Sequence, residues 1–349
     1  MSAVLPAALA AWGSGGSGHP YALLADRHDG TVVRCGDAVA KAHAPDTDPE
    51  ALALRLRIAG AGPLAGVLLP PLRTGTVHGR PVSLWPYGTP VDPERPEDAP
   101  WEAAARLLAA LHRTPPEALP GPVPPMRGPA KLARALRRLA RAVPPGPGHH
   151  PPDPVHPQGG PPATAHHPTE PPAPAPRRLP PHLPGPTPGA RAVRAAAATL
   201  PDWVRGEAAA PPGGALCHGD LHLGQLVRHP APGGPWRLID VDDLGLGTPA
   251  WDLARPAAWY AAGLLAPEVW LRFLDAYRAA GGPAAGPPGT DPWPELDLAA
   301  RALTVQGGAL ALAKAAAERR PLDGAERLMV DSCARIATIP AELEPGAPS

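Results

Sequence analysis

The chain has 349 residues with 32 basic and 32 acidic side chains, so its formal charge is zero and its pI is close to 7.3. That balance gives nucleic acid no electrostatic purchase as a main partner. Cys35, Cys217 and Cys333 lie far apart with no CxxC pair, which argues against a structural zinc site or a disulfide framework. The N-terminal MSAVLPAALAAW has no basic n-region, and no apolar run approaches the ~20 residues of a membrane span, so a soluble, cytoplasmic protein with no membrane partner is expected.

In chain order, GSGGSG (13–18) reads as a flexible lead-in. YALLADR (21–27), TVVRC (31–35) and AVAKAHA (38–44), separated by HDG and GD turns, read as an antiparallel meander. DTDPEALALRLRIAG follows as a helix, with Asp48 at the N-cap, Pro49 at the first helical position and Gly60 just past the end. AGVLLPPL (65–72) and RPVSLWPYG (80–88) read as two further strands. WEAAARLLAALHRTP (101–115) carries apolar residues at helical spacing. The next helix, AKLARALRRLARAV, has Leu132, Leu136 and Leu139 on its apolar side. Its Lys131, Arg134, Arg137, Arg138 and Arg141 read as a solvated charged face.

Between Pro144 and Pro188, 19 of 45 positions are proline and six are histidine. Such a segment has almost nothing to bury and cannot sustain helix or sheet ladders, so it reads as a disordered, polyproline-like insert. GARAVRAAAATLPDWVRG is helical again, and from PAWDLARPAAWYAAGLL to the end the pattern is helical throughout. Strands first and helices later make an α+β chain of two unequal lobes. The expected divisions are an N-terminal lobe over 1–88, the start of a helical lobe over 89–143, the insert over 144–189 and a catalytic helical lobe over 190–349.

The chemistry concentrates in CHGDLHLGQLVRHPAPGGPWRLIDVDD (217–243). GDLH resembles the first metal-binding element of calcineurin-like phosphoesterases, but such sites need further histidines downstream, and none follows His229. GQLVR (224–228) and PWRLID (235–240) read instead as a β-hairpin, which brings Gln225 and Asp240 together at its open end with Asp220 one loop earlier. Oxygen ligands beside a third carboxylate suit Mg²⁺ carried by a nucleotide. His218 reads as a packed organiser of the loop and Asp252 as a brace that satisfies backbone donors, while His222 is open between a structural and a substrate-side role.

These residues resemble the aminoglycoside phosphotransferase family, relatives of the protein kinases. The family pattern H-G-D-x-x-x-x-N, hairpin, I-D-F, D-P-x-x-D-L-A is matched here by His218-Gly219-Asp220, Gln225, Ile239-Asp240-Val241 and TPAWDLA (248–254). The resemblance implies a protein-kinase-like two-lobed fold, with a small antiparallel-sheet lobe and a mostly helical lobe. It also implies transfer of the γ-phosphoryl group of ATP, or GTP, to a hydroxyl of a small-molecule acceptor such as a sugar or an aminoglycoside-like compound. Asp220 would position that hydroxyl and accept its proton, and Gln225 and Asp240 would hold Mg²⁺. Lys41 would pair with the α/β-phosphates and take Glu50 as its ion-pair partner, and the backbone from Trp85 through Tyr87 to Gly88 would face the adenine.

The chain departs from the pattern at Gln225 (Asn in most of the family, though the maltokinase branch has a similar HGDxHLGQ), at Thr248 for Asp and at Val241 for an aromatic. No glycine-rich phosphate loop stands out. A pseudokinase serving as an interaction module is one alternative, and a metallophosphoesterase another. The acids of the second lobe (Glu268, Asp275, Asp291, Glu295, Asp297) are scattered, unlike the acidic pocket a polycation needs. Trp251, Trp259, Tyr260, Trp270 and Trp293 read as core filling before they read as a sugar site.

Overall fold

The structure is a computed structural model that describes residues 4–16, 20–27, 30–144 and 187–338. Nearly all of the expected Pro/His-rich insert, at 145–186, lies outside the described residues.

Helix α1 (Val4–Ser14) opens the chain and is followed by strands β1 (Ala22–Arg27), β2 (Gly30–Cys35) and β3 (Ala38–His43). Helix α2 (Pro49–Ala59) begins where the sequence places it, with the Asp48 carboxylate accepting from the N–H groups of Glu50 and Ala51. Strands β4 (Arg73–Val77) and β5 (Arg80–Pro86) complete an antiparallel sheet of order β1-β2-β3-β5-β4. On β2, Thr31, Val33 and Cys35 are buried and alternate with less buried neighbours, the period-two signature of a half-covered strand. Leu9 and Ala10 of α1 cover that face, packing with Val33, Ala40, Val82 and Leu84.

Two expectations fail here. Residues 65–72 form no strand: Pro70 and Pro71 have no N–H to donate. Their neighbours dock elsewhere, with Leu69 N–H donating to Leu238 O and Val67 O accepting from Leu238 N–H. The fifth strand is β4, in the polar run that follows. The lead-in also begins later than expected, because Gly13 and Ser14 close α1 against the sheet; residues 17 and 18 lie outside the described residues.

A two-residue strand, β6 (Thr89–Pro90), leaves the small lobe and pairs with the hairpin of the second. Helices α3 (Trp101–His112), α4 (Gly128–Ala142), α5 (Pro188–Ala198) and α6 (Asp202–Arg205) precede strand β7 (Ala215–Cys217). The expected hairpin is present as β8 (Leu226–Arg228) and β9 (Trp236–Leu238), with Leu226 opposite Leu238. Strand β10 (Gly245–Gly247) returns beside β7, so the segment bearing the candidate site is a loop-and-hairpin excursion clamped at both ends. Helices α7 (Ala250–Ala261), α8 (Pro267–Ala279), α9 (Trp293–Glu318) and α10 (Gly324–Ile336) complete the lobe, with α4, α7 and α10 packed along the 26-residue α9. Among the described residues no helix is long and apolar enough to cross a membrane.

Most of the aromatic residues fill core, as expected: Tyr260, Trp270 and Trp293 stack on one another, and Trp270 packs on the fully buried Phe273.

Candidate active site

The loop after β7 turns sharply at Gly219, where φ is 82° and a Cβ would lie 2.5 Å from the carbonyl oxygen of Asp243. Only glycine fits both constraints, which explains its place between His218 and Asp220. Asp252, fully buried at the start of α7, holds this turn. One of its oxygens accepts from Gly219 N–H at 2.7 Å, and the other from His218 N–H at 2.6 Å and His112 Nε2–H at 2.9 Å. His112 Nδ1 in turn hydrogen-bonds the Tyr277 hydroxyl at 2.8 Å, whose oxygen accepts from Ala284 N–H. Burial pushes the Asp252 carboxyl up, but the bonds from His112 and the His218 backbone outweigh it and hold it below the usual range. The fully buried His218 ring donates from Nε2 to Ile239 O at 2.8 Å, tying the Asp220 loop to the Asp240 segment.

Asp220 is gripped from two helices. Lys131 of α4 lies 2.5 Å from one carboxylate oxygen, and Arg255 of α7 lies 2.6 Å from the other while its Nε–H donates to Leu221 O. Burial raises the Asp220 carboxyl, yet these two cations outweigh it and hold it below the ordinary carboxylate range. Lys131 also reaches Asp243 at 2.9 Å. The reading of α4 as a wholly solvated charged face is therefore corrected at one position: Arg134, Arg137, Arg138 and Arg141 are exposed, but Lys131 turns into the site. Arg255 was missed as well, although it lies one turn after Asp252 on the same helix, a spacing that places both on one face.

Asp240 stands at the end of the hairpin in a left-handed conformation, φ 64°, which Asp tolerates better than most residues. The Gln225 amide lies 3.3 Å from one of its oxygens and Lys41 Nζ lies 2.7 Å from the other. Two oxygen-bearing side chains at the open end of the hairpin, which join no histidine or cysteine in a metal-type cluster among the described residues, form a donor set that fits Mg²⁺ better than zinc.

Lys41 does not pair with Glu50. Its second partner is Asp242, at 3.1 Å, and Glu50 is exposed in the first turn of α2. The buried polar residue of α2 is instead Arg55, which donates to the carbonyls of Leu244 and Pro125 and so fastens the helix behind the Asp240–Asp243 turn. Asp242 also accepts from His43, fully buried on β3, at 3.0 Å. His43 Nε2 meets the Ser83 hydroxyl at 2.8 Å, and Ser83 Oγ accepts from Trp85 Nε1–H at 2.8 Å. The Ser83 hydroxyl thus links the Trp85 indole to the His43 ring, whose other nitrogen faces Asp242. Burial opposes ionisation of Asp242, but Lys41 and His43 hold its carboxyl far below the usual range.

The expectation for the connecting segment needs correction at Tyr87. Its N–H donates to Asp37 O at 2.7 Å, its carbonyl accepts from His229 Nδ1, and the Arg34 guanidinium covers its ring at 3.4 Å. The Trp85 ring is buried and its indole N–H is engaged by Ser83. Neither the ring of Trp85 nor the backbone of Tyr87 is therefore open to a purine.

His222 resolves toward structure. Its Nδ1 accepts from Gly224 N–H at 3.1 Å, and burial lowers its pKa to about 4, so the ring is neutral near pH 7. Among the described residues the histidines of the HGDLH run gather no metal-type cluster. The one trio of ligand-type side chains, His112, Cys217 and Asp252, is buried and belongs to the loop brace.

The sequence pattern of the phosphotransferase enzyme family (APH) matches residues 13–296. No curated protein matches the chain. A crystal structure of a thermostable variant of the aminoglycoside phosphotransferase APH(4)-Ia, in ternary complex with ADP and hygromycin B, is similar at a TM-score of 0.53. It shares 12% identity over 94% of this chain and 96% of that one. A second variant of the same enzyme, with AMP-PNP and hygromycin B, gives 0.52 and 13% identity over 92% and 94%. A choline/ethanolamine kinase family protein from Mesorhizobium loti has 17% identity over 92% and 89%, with a TM-score of 0.49. At such identities the likeness to APH(4)-Ia bears on the fold alone, and it is the protein-kinase-like one. The family match spans most of the chain and includes the HGD loop, the hairpin and the segment carrying Asp252: the chain belongs to the phosphotransferase enzyme family, and it is a small-molecule phosphotransferase.

Proposed function

We propose that the chain transfers the γ-phosphoryl group of Mg²⁺-bound ATP to a hydroxyl of a small molecule. The observation that carries this reading is the ion pair across the two lobes, Lys41 on Asp240, with Gln225 beside it and Asp220 one braced loop away. Asp240 and Gln225 would hold Mg²⁺, which when bound neutralises phosphate charge. Lys41, already 2.7 Å from Asp240, is positioned to meet the phosphates of the same nucleotide. GTP remains the alternative donor, since the backbone groups of Tyr87 give no adenine-specific contact.

Asp220 accepts the hydrogen of the acceptor hydroxyl and aims its oxygen at the γ-phosphorus. The new P–O bond forms as the bond to the β-phosphate oxygen breaks, the hydroxyl proton passes to Asp220, and ADP and a phosphate monoester result. A carboxylate held below its usual pKa is a weak base, so its contribution is orientation first and proton acceptance late. That suits a loose transition state in which the attacking oxygen gains little charge early. Lys131 and Arg255 on Asp220 put cations where a polycationic acceptor would require acids.

The test is thermal unfolding with and without Mg-ATP on wild type and Asp240→Ala. A ligand at ~100 times its dissociation constant adds about 2.7 kcal/mol. A magnesium-dependent rise in Tm that Asp240→Ala abolishes supports the reading, and no rise with any nucleotide sinks it. Asp220→Asn should keep the rise and lose turnover by about 10²–10⁴-fold. A wild type that binds but shows no turnover would make the chain a nucleotide-binding module.

A further inference from the structure

The surroundings of Asp220 carry a charge pattern that the transfer chemistry does not require. A recess opens beside its carboxylate, between the start of α4, the HGD loop, α7 and α9. Among the described residues its charged lining is Lys131, Arg255 and Asp220, with Asp243 behind Lys131 at 2.9 Å. The two cations bind Asp220 without exhausting their donors: Arg255 uses Nε and Nη2, so Nη1 has no protein partner among the described residues, and Lys131 has three N–H bonds for two carboxylates. Helix α4 begins at the rim with Gly128, so the positive end of its dipole adds to the same field. Gln306 of α9 also lines the recess. It is only 5% exposed, and its amide has no hydrogen-bond partner among the described residues. Its amide is not sealed off but opens into the recess, where a ligand atom can meet it. Trp251, Leu221 and Leu303 supply the apolar wall.

Resting on the phosphotransferase reading above, we infer that the acceptor is a hydroxy acid: a small molecule whose anionic group lies beside the hydroxyl that is phosphorylated. Its anionic group takes Arg255 Nη1 and the remaining Lys131 donor, Gln306 donates to an adjacent oxygen, and the hydroxyl reaches Asp220. An ammonium group in that position would face the free donors of two cations and a helix N-terminus, with Asp220 and Asp243 already paired to those cations, so amines are disfavoured. The same interactions explain why Asp220 is gripped so tightly: the acceptor's anion relieves one cation of part of its hold, which frees a carboxylate oxygen for the hydroxyl.

The experiment compares matched acceptors with Mg-ATP, reading ADP release and product mass. Glucuronate, glucose and glucosamine form one series; glycerate, glycerol and 3-amino-1,2-propanediol form another. In at least one series the acid should exceed the amine by tenfold or more in kcat/KM. The Gln306→Glu variant, nearly isosteric and away from Asp220, should cut that ratio at least tenfold while leaving the Mg-ATP rise in Tm intact. Acids used no better than amines in both series, including no use of either, overturns the inference. The nucleotide shift separates this failure from that of the reading beneath it: a retained shift leaves the kinase site standing without its anionic acceptor, and a missing shift removes both. If Gln306→Glu fails to fold, the wild-type panel alone decides.

Discussion

Each lobe contains a buried relay of aromatic residue, imidazole and carboxylate, and the two differ in what they join. In the helical lobe the relay runs Tyr277, His112, Asp252 and ends on the backbone of His218 and Gly219, so all its members belong to one packed body. In the sheet lobe it runs Trp85, Ser83, His43, and its terminal carboxylate, Asp242, belongs to the other lobe. The first relay is a brace and the second a coupling. Asp220 is accordingly held by cations of its own lobe, whereas Asp240 and Asp242 are held by Lys41 and His43 from across the cleft. In the proposed function, orientation of the acceptor would thus be built into one body, while the nucleotide side would depend on how the two lobes meet.

The largest expected effect breaks the brace. Asp252→Ala leaves His218 N–H, Gly219 N–H and His112 Nε2–H buried without an acceptor, which should cost about 3–5 kcal/mol in chemical denaturation. A loss below about 1 kcal/mol would show that the loop does not rely on it. His43→Leu should destabilise by about 1–3 kcal/mol, by stranding Ser83 and loosening Asp242, and should also weaken Mg-nucleotide binding measured by calorimetry. Tyr277→Phe removes the bond to His112 and the acceptor of the buried Ala284 N–H, about 1–3 kcal/mol, and should leave nucleotide affinity as in wild type. Equal nucleotide affinities in the two variants would erase the distinction between brace and coupling.

The smallest effect is in pH. His222 has its pKa lowered from 6.5 to about 4, so the unfolded chain takes up a proton that the folded one refuses. Its contribution is complete above pH 6.5 and lost as pH falls toward 4. Asp220, Asp242 and Asp252 are lowered from 3.8, so theirs persists below that window and is lost only as pH falls through the lowered values. His222→Gln should flatten Tm between pH 6.5 and 4 and leave the acid limb in place; an unchanged slope would show that the ring titrates normally.

The helix starting after Asp48 and the hairpin now seen as β8 and β9 were legible because each rests on local signals, a cap and a turn. The strand misplaced at 65–72 shows the limit, since that apolar run satisfies its backbone by docking onto β9 rather than by joining the sheet. Lys131 shows another: within an Arg-rich helix nothing local separates the one cation that faces inward from those that face water.

By itself the sequence determined which residue types could do phosphoryl-transfer chemistry, and in what order along the chain, because motif spacing and hairpin register are short-range properties. Partnership was decided only by the tertiary structure. Lys41 meets Asp240 across 199 positions and His112 meets Asp252 across 140, and Lys41 chose two carboxylates of the far lobe over a glutamate nine residues away. A buried charge takes the partner that packing delivers to it, and packing is a property of the whole fold.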